Sequence, residues 1–184
     1  MSEVNIYKEN ELPESLKWQI LSFIRAIWPE GFYNENEYRD WIHGKDQHAV
    51  HFVIEKNKLL ISYAGVVWKE LEHAGGKYKT YGLSGVFTYP SFRGKGYGLK
   101  VIKEAKLYME KQDGDIALFP SQTTGFYEKA GFIRIAGAKI LEGDPKLPKE
   151  HEEKNIYMLF ISEKGKSHKN DFARKPIYFG RDVW

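Results

Sequence analysis

Residues 84–99 read SGVFTYPSFRGKGYGL, and this stretch decides the fold. Val86 and the two residues after it are typical of the end of a β-strand, which Pro90 stops. Glycines alternate with basic and aromatic residues after Arg93, and an apolar run with helical spacing begins at Leu99. The stretch therefore predicts a strand, then a glycine-rich turn, then the N-terminus of a helix.

This junction is a predicted binding site for a phosphate-bearing ligand. The first N–H groups of a helix lack intrahelical acceptors, and the positive end of the helix dipole attracts anions. Gly94, Gly96 and Gly98 permit backbone conformations and close approaches that a Cβ would prevent. Two common phosphate motifs are excluded, because Lys95 is followed by glycine rather than serine or threonine, and position 99 carries leucine rather than glycine.

Composition limits the remaining choices. The 184 residues, 42% of them hydrophobic, are enough for one globular domain spanning 1–184. A net charge of +3 is too weak to indicate a nucleic-acid partner, and the absence of cysteine excludes disulfides, thiolate metal sites and cysteine nucleophiles. Without a signal-peptide pattern or an apolar run near the roughly 20 residues of a membrane span, we expect a cytoplasmic protein. The six histidines are scattered, so we expect no metal site.

Hydrophobic periodicity predicts an α+β domain with the element order β-α-α-β-β-β-α-β-α-β. Three successive antiparallel strands favour a mixed, mostly antiparallel twisted sheet flanked by helices over a doubly wound fold. The predicted helices cover 13–29, 35–43, 99–112 and 123–129. The predicted strands cover 4–7, 50–54, 59–68, 78–88, 116–119 and 156–161, and the residues 132–135 and 138–141 are predicted to be extended segments.

Two motifs resemble hallmarks of the GNAT superfamily of N-acetyltransferases, which use acetyl-coenzyme A (acetyl-CoA). The pattern Arg93-x-x-Gly96-x-Gly98 matches the pyrophosphate signature Q/R-x-x-G-x-G/A, and residues 125–132, GFYEKAGF, resemble the second hallmark. The motifs occur in the right order with a predicted strand between them. The resemblance implies a GNAT-like fold and an acetyl-CoA-dependent N-acetyltransferase. For the turn alone, a tight loop with exposed basic side chains is the alternative.

The resemblance also implies roles for single residues. The strand end is expected to offer backbone groups to the pantetheine arm, and the turn to hold the pyrophosphate. Tyr127 matches the tyrosine that often acts as general acid toward the leaving thiolate, and its alternative is a half-buried core residue. The implied cofactor-binding residues are Val86, Phe87, Thr88, Arg93, Gly94, Lys95, Gly96, Tyr97, Gly98 and Leu99.

Features near both ends resemble the aminoglycoside 2′-N-acetyltransferases, a branch associated with antibiotic resistance. They are the ending Arg181-Asp182-Val183-Trp184, the pair Asp40-Trp41 and the run His48-Ala49-Val50. In that branch the C-terminal tail folds over the active site and contacts the cationic sugar. The resemblance therefore places tail 162–184 toward the acceptor and assigns substrate contacts to Asp182, Trp184, Glu35 and Asp40. A disordered tail whose last tryptophan packs as a hydrophobic anchor is the alternative.

Ser84 occupies the position where that branch carries a glutamate, proposed as a base acting through water. Serine is a poor base, so at this catalytic position ordered water, a backbone carbonyl or another carboxylate must take the proton. Residues 120–122, PSQ, stand where many GNAT members carry an asparagine that touches the cofactor. Three functions stay open: acetylation of an aminoglycoside or similar polyamine, acetylation of another amine, and a non-catalytic acetyl-CoA sensor. A homodimer is expected only by analogy with the family.

Overall fold

The computed structural model describes residues 3–153, 155–181 and 183–184. Its helices are α1 (Glu14–Ile27), α2 (Tyr97–Glu110), α3 (Glu163–Ser167) and α4 (Lys169–Arg174). Its strands are β1 (Asn5–Lys8), β2 (Val50–Lys56), β3 (Leu59–His73), β4 (Gly76–Thr88), β5 (Ile116–Ser121), β6 (Ile133–Arg134), β7 (Ile140–Glu142), β8 (Lys149–Glu150), β9 (Asn155–Phe160) and β10 (Ile177–Gly180).

The strands form two sheets. The large sheet has the spatial order β1-β2-β3-β4-β5-β9-β6, and the small sheet has the order β10-β7-β8. Neighbouring strands pair antiparallel, except that β4 with β5 and β7 with β10 pair parallel. The expected mixed, mostly antiparallel sheet flanked by helices is confirmed.

Different segments cover the two faces of the large sheet. Helix α2 packs on one face, where the buried side chains of Phe52, Ala64 and Leu83 meet it. On the opposite face, α1 covers the β2–β3 side, and α4 with the small sheet covers the β5–β9 side. On this face, a strip of β3 and β4 therefore lies between α1 on one side and α4 with the small sheet on the other.

The first helix and the helix after the glycine turn form as predicted. In α1, Leu16, Ile20 and Ile24 are buried at helical spacing. The Trp28 N–H donates to the Ile24 carbonyl at 2.8 Å, and Pro29 then ends the helix. In α2 the equivalent buried face meets the sheet, while basic residues face solvent.

The predicted helix over 35–43 is wrong. Asn34 has a left-handed backbone with φ 54°, and only a 3₁₀ turn forms at Asn34–Asn36. Tertiary contacts hold the segment in an irregular path, because the Arg39 guanidinium stacks on Phe32 and Trp41 at 4.2 and 4.6 Å. Such contacts override the weak helix propensity of so short a segment.

The predicted helix over 123–129 is also wrong, because only a 3₁₀ turn at Glu128–Ala130 forms. Gly125 adopts φ 73°, which a right-handed helix excludes. Gly131 ends the turn at φ 93°, as expected of a C-terminal glycine. Pro120 doesn't end its strand, since β5 continues to Ser121.

The C-terminal tail is ordered where the structure describes it. Ser162 caps α3 by accepting a hydrogen bond from the Gly165 N–H at 3.0 Å. After α4, strand β10 pairs with β7, and Phe179 is buried against the large sheet. The tail therefore returns to the body of the protein beside β4 and β5.

Candidate active site

A gap opens between β4 and β5 in the middle of the large sheet. The two strands pair only at Thr80 with Ile116 and at Tyr81 with Ala117. Beyond these pairs the strands separate, and the edge of β5 that faced β4 loses its partner. Pro120 has no N–H to offer a neighbouring strand, so an unpaired edge is where proline is tolerated within a strand.

The C-terminal residue fills the inner end of this gap. The Trp184 Nε1 donates to the Leu118 carbonyl at 3.1 Å. A Cβ built on Gly82 would overlap the same indole, so only glycine lets the ring lie against β4. The Phe179 ring meets Trp184 edge-on at 4.6 Å, and the Lys69 ammonium lies 4.8 Å from the indole centroid. The tail thus reaches the point where the two central strands part.

Strand β4 carries a bulge beside the gap. Tyr63 pairs with Phe87 and Gly65 pairs with Ser84, so a single β3 residue faces both Gly85 and Val86. Gly85 adopts φ 62°, the conformation that such bulges place on glycine. A bulge leaves its extra residue unpaired, so the hydrogen-bonded ladder between β3 and β4 is interrupted here.

The glycine turn presents backbone donors at the start of α2. Gly96 is the N-cap with φ 83°, and Gly94 has φ 73°, conformations that favour glycine. The N–H groups of Tyr97, Gly98 and Leu99 have no acceptor within the helix, because an α-helix leaves its first N–H groups unpaired. A Cβ on Gly98 would stand 2.9 Å from Thr88 Oγ1, so this glycine allows α2 to lie close to the strand end.

Basic side chains brace the turn and line a groove beside it. The Arg93 Nε donates to the Thr88 carbonyl at 3.1 Å, and the Lys95 Nζ donates to the Ser91 carbonyl at 3.0 Å. The groove has a volume of about 390 Å³. It is lined by Lys95, Gly96, Tyr97, Leu99, Lys100, Lys103 and Glu104. An anion bound at the turn would be close to the backbone N–H donors, and the lysine side chains of the adjacent groove would add positive charge.

Tyr127 lies on the α2 side of the sheet among aromatic rings. Its ring meets Phe119 edge-on at 4.8 Å, and its side chain hydrogen-bonds Ser121. It is only 7% exposed. Burial is the largest cause that raises the pKa of Tyr127, to about 12, and the Ser121 hydrogen bond opposes it. The hydroxyl therefore stays protonated at neutral pH.

Residues 47–134 match the sequence family described as an acetyltransferase (GNAT) domain. Comparison with curated protein sequences finds no match. This family match supports acetyl transfer as the general activity. The matched residues include the bulge, the turn and Tyr127, whereas Glu35, Asp40 and Trp184 lie outside them.

Solved structures of other proteins share the fold at low sequence identity. Escherichia coli ElaA superposes with a TM-score of 0.56 at 17% identity, over 85% of this chain and 98% of its own. A GNAT family acetyltransferase from Brucella melitensis, in complex with acetyl-CoA, gives 0.55 at 17% identity, over 88% and 90%. A probable N-acyltransferase from Enterococcus faecalis V583 gives 0.57 at 15% identity over 73% of this chain. The chain spans only 33% of that last protein.

Within the residues that match this family, the predicted cofactor residues gather at one end of the gap. Val86 is half-buried on the α2 side, whereas the Phe87 ring stacks on Phe23 at 4.8 Å on the opposite face. Thr88 Oγ1 lies 2.9 Å from Ser62 Oγ. Phe87 can therefore contribute its backbone to this site and not its side chain.

The predicted substrate residues are more dispersed. Glu35 and Asp40 are exposed on the irregular segment that precedes β2. Trp184 is half-buried in the gap, and none of the described contacts joins it to either carboxylate. Asp182 lies outside the described residues. Ser84 is half-buried on β4, on the same face as Gly82 because the two are separated by one residue.

Sequence reasoning missed a buried polar cluster on this face of the sheet. His43, His51 and Tyr63 are each less than 7% exposed and are joined by hydrogen bonds, which continue to Glu9. A usable signal was present, because His51 and Tyr63 interrupt the apolar residues of two strands that are buried on both faces. By contrast, His48 is exposed and stacks on Trp68 at 4.6 Å.

Among residues 3–153, 155–181 and 183–184, the structure contains no group of three or more His, Cys, Asp or Glu side chains placed to hold a metal ion. Within the same residues, no helix has the length and apolar character needed to cross a membrane.

Proposed function

We propose that this GNAT domain transfers the acetyl group of acetyl-CoA to a primary amine of a small cationic molecule, with an aminoglycoside 2′-amine as the first candidate. The observation that carries the proposal is the gap between β4 and β5. The glycine turn lies at its outer end, and Trp184 lies at its inner end. A cofactor laid along the gap would bring its thioester close to the bulge and the tail together.

The cofactor side is assigned from backbone geometry. The turn from Arg93 to Leu99 would hold the pyrophosphate on its N–H groups. The strand end from Val86 to Thr88 would hydrogen-bond the pantetheine arm. The acetyl-CoA complex of the Brucella melitensis protein, which shares this fold, supports the assignment. The lysine-lined groove next to α2 would meet the remaining phosphate charge.

Acetyl transfer at this site would be a direct attack of the amine on the thioester, because the chain contains no cysteine to form an acyl-enzyme. The backbone N–H freed by the bulge at Val86 would stabilise the negative charge that develops on the carbonyl oxygen. An alkylammonium with a pKa near 9 to 10 must first lose a proton, at a free-energy cost of roughly 3–4 kcal/mol at pH 7. Ser84 can hold a water here but cannot itself take that proton.

Tyr127 would act on the departing sulfur. Its pKa of about 12 keeps the hydroxyl protonated. Full proton transfer to a thiolate whose conjugate thiol has a pKa near 8.5 would be uphill by roughly 5 kcal/mol. The hydroxyl is therefore better suited to donate a hydrogen bond to the developing thiolate than to surrender its proton.

The acceptor side is assigned from charge. The Trp184 ring is fixed at the inner end of the gap by its hydrogen bond to the Leu118 carbonyl. Asp182, Glu35 and Asp40 would add negative charge from the tail and from the segment before β2. A polyamine is attracted to such carboxylates by charge-assisted hydrogen bonds. These carboxylates favour a cationic acceptor. By contrast, Ser84, which replaces a basic glutamate, favours the two alternatives: a different amine or a non-catalytic sensor.

Thiol release separates the three functions. Acetyl-CoA would be incubated with the full chain and a panel of amines: kanamycin, glucosamine, spermidine and a lysine peptide. We expect turnover with kanamycin, and we expect deletion of Trp184 to raise its KM at least tenfold. The acetyl-CoA Kd should stay within twofold of wild type. Trp18→Ala, which removes an exposed indole of α1, is the control and should change neither value.

Two results would redirect the proposal. Turnover of another panel amine, with KM unaffected by loss of Trp184, would identify a different acceptor. Tight acetyl-CoA binding with no thiol release from any amine would contradict an enzyme and favour the sensor.

A further inference from the structure

Four side chains form a continuous hydrogen-bonded path from the β4 bulge to solvent. His43 Nε2 lies 3.0 Å from Tyr63 Oη, and Tyr63 Oη lies 2.9 Å from His51 Nδ1. His51 Nε2 lies 2.8 Å from Glu9 Oε2. We propose that this path is a proton relay, which takes the proton of the acceptor ammonium in place of the glutamate that Ser84 replaces. The inference rests on the proposed function, acetyl transfer to an amine.

The inner end of the relay lies beside the reaction centre. A Cβ built on Gly65 would overlap His43 Nε2, so the imidazole covers Gly65. Gly65 pairs with Ser84, and opposed residues of antiparallel strands project to the same face of a sheet. A Cβ built on Gly85, the bulge glycine, would lie 3.3 Å from the Tyr63 ring. His43 and Tyr63 therefore border the bulge on the face that carries the Ser84 side chain.

The outer end of the relay is open to water. The Glu9 side chain is 46% exposed, whereas the His51 side chain is fully buried. Glu9 follows β1, the strand that pairs with β2 and so brings the carboxylate over His51. A proton that reaches Glu9 can pass to solvent, while the two histidines and the tyrosine are shielded from it.

The donors and acceptors fit one direction of transfer. An ionised carboxylate only accepts, so His51 donates from Nε2 and, as a neutral imidazole, accepts at Nδ1. The Tyr63 hydroxyl then donates to His51 and accepts from His43 Nε2. His43 Nδ1 is left as the acceptor for the next proton. All three links point from the bulge to Glu9.

The proton step is balanced along these links. The N–H bond of the ammonium breaks and leaves the electron pair on the amine, while a new N–H bond forms at His43 Nδ1. The proton on His43 Nε2 moves to Tyr63, the Tyr63 proton moves to His51 Nδ1, and the His51 Nε2 proton moves to Glu9. An ammonium and a carboxylate become an amine and a carboxylic acid, which then loses its proton to water.

The electrostatic environment keeps the relay from storing charge. Burial is the largest cause that lowers the pKa of His43, to about 3. Burial, followed by the charge of Glu9, raises the pKa of Tyr63 well above its usual value. Neither group holds an extra charge at neutral pH, so a proton entering at His43 passes onward rather than remaining there.

Ring-nitrogen NMR tests the direction of the relay without any substrate. The full chain labelled with ¹⁵N would be followed by long-range ¹H–¹⁵N correlation from pH 6 to 8. We expect His43 and His51 to be neutral with the proton on Nε2, and Tyr63→Phe to shift the signals of both rings. A doubly protonated His51 at pH 7, or a proton on its Nδ1, would break the sequence of donors and overturn the relay.

Kinetics tests the catalytic role, with kanamycin or whichever panel amine turns over. Tyr63→Phe should lower kcat 30- to 100-fold at pH 7, within the usual range for general-base catalysis. The loss should shrink below fivefold at pH 9.5, because the ammonium then loses its proton to water unaided. Glu9→Gln should lower kcat three- to tenfold at pH 7. Acetyl-CoA affinity should stay within twofold in both variants.

Tyr78→Phe is the matched control, because it removes another buried tyrosine hydroxyl at the far end of β4. Its kcat should stay within twofold of wild type at every pH. A Tyr63→Phe loss that is absent, or equal at pH 7 and pH 9.5, would reduce the cluster to a structural network and overturn the proposal. Absence of turnover by the wild type would instead contradict the proposed function, while the NMR result would still decide whether the relay exists.

Discussion

The two ends of the β4–β5 gap are built in different ways. At the outer end, the turn from Arg93 to Leu99 offers mainly backbone N–H groups. The side chains of the turn contribute little there. At the inner end, Trp184, His43 and Tyr63 fill the face of the sheet with side chains from three separate parts of the chain. The cofactor side is thus a property of local backbone, and the acceptor side is a property of long-range packing.

The two ends of the gap also differ in whether the family match covers their residues. The GNAT match covers residues 47–134, which include the turn and the bulge. His43 and Trp184, which we place on the proposed acceptor side, lie outside those residues. A shared cofactor would keep the backbone site the same among such proteins, while the side-chain site is free to differ with the acceptor. Substitutions at the two ends should therefore have separable effects.

Gly82→Ala should have the largest effect and should damage only the acceptor side. The new Cβ would overlap the Trp184 indole, which must leave the gap and lose its hydrogen bond to the Leu118 carbonyl. We expect the free energy of unfolding to fall by about 3 kcal/mol, as for removal of a large aromatic side chain from a core. Urea unfolding gives this value, and calorimetric titration should show acetyl-CoA affinity within twofold of wild type.

Gly31→Ala is the control for Gly82→Ala, because a Cβ at Gly31 meets only Arg39 Nη2 at 3.7 Å. Its free energy of unfolding should change by less than about 0.5 kcal/mol. An equal loss of acetyl-CoA affinity in Gly82→Ala would show that the two ends of the gap are not independent.

The strand–turn–helix junction could be predicted from sequence because its signal is contained in a few adjacent residues. Arg93, Gly96 and Gly98 specify a conformation and a helix start by themselves. The position of Trp184 could not be predicted in the same way, since it depends on Gly82 and on the separation of β4 from β5. The helix expected over 35–43 failed for a similar reason: its aromatic spacing indicated a helix, but Arg39 packs between rings and fixes another path.

The buried cluster of His43, His51 and Tyr63 shows that a sequence signal can be present without revealing which residues are in contact. Polar residues in apolar strands indicate buried hydrogen bonds, but the sequence does not show that His43 and His51 both meet Tyr63. Those contacts depend on the register of β2 with β3 and on the path of the segment before β2. Buried polar groups of this kind need partners, and the partners are known only once the fold is known.

Acid should destabilise the acceptor side through His43. Its pKa is about 3 in the folded protein, against an ordinary value of 6.5. As pH falls through 6.5, the unfolded chain binds a proton that the folded chain cannot, so the contribution to stability is full above 6.5 and is lost toward pH 3. We expect a loss of about 2 kcal/mol between pH 6.5 and 4.5, measured by urea unfolding at each pH.

The variant His43→Gln should remove most of this pH dependence, because glutamine does not titrate. His48→Gln, which replaces an exposed histidine on the same loop, should keep it. An unchanged slope in His43→Gln would mean that another group destabilises the protein in acid. His73 is the first to examine, since burial also lowers its pKa.

Tyr127→Phe should affect turnover on the cofactor side while leaving binding intact. We expect kcat to fall roughly 10- to 30-fold from loss of the hydrogen bond to the leaving sulfur, with acetyl-CoA affinity within threefold. Because the pKa of Tyr127 is about 12, the wild-type rate should show no decline up to pH 10 from ionisation of this hydroxyl. Steady-state thiol release across pH 6–10 measures both effects.

Tyr157→Phe is the comparison for Tyr127→Phe, since the Tyr157 ring lies 5.0 Å from Tyr127 in the same cluster. Its hydroxyl donates to the Thr123 carbonyl at 2.9 Å, so its loss is structural. We expect kcat within threefold of wild type. Equal losses in the two variants would assign Tyr127 to the core and remove it from the reaction.

Gly96→Ala should have the smallest effect and the clearest control. Gly96 and Gly75 have φ 83° and φ 82°, and a built Cβ meets nothing within 4 Å at either position. Alanine at each should therefore cost the same backbone strain, about 1 kcal/mol of stability. Only Gly96 precedes the N–H groups of α2, so only Gly96→Ala should weaken acetyl-CoA binding, by roughly five- to tenfold at an unchanged acceptor KM. Equal affinities in the two variants would mean that the turn does not hold the pyrophosphate, and the cofactor would have to be placed elsewhere along the gap.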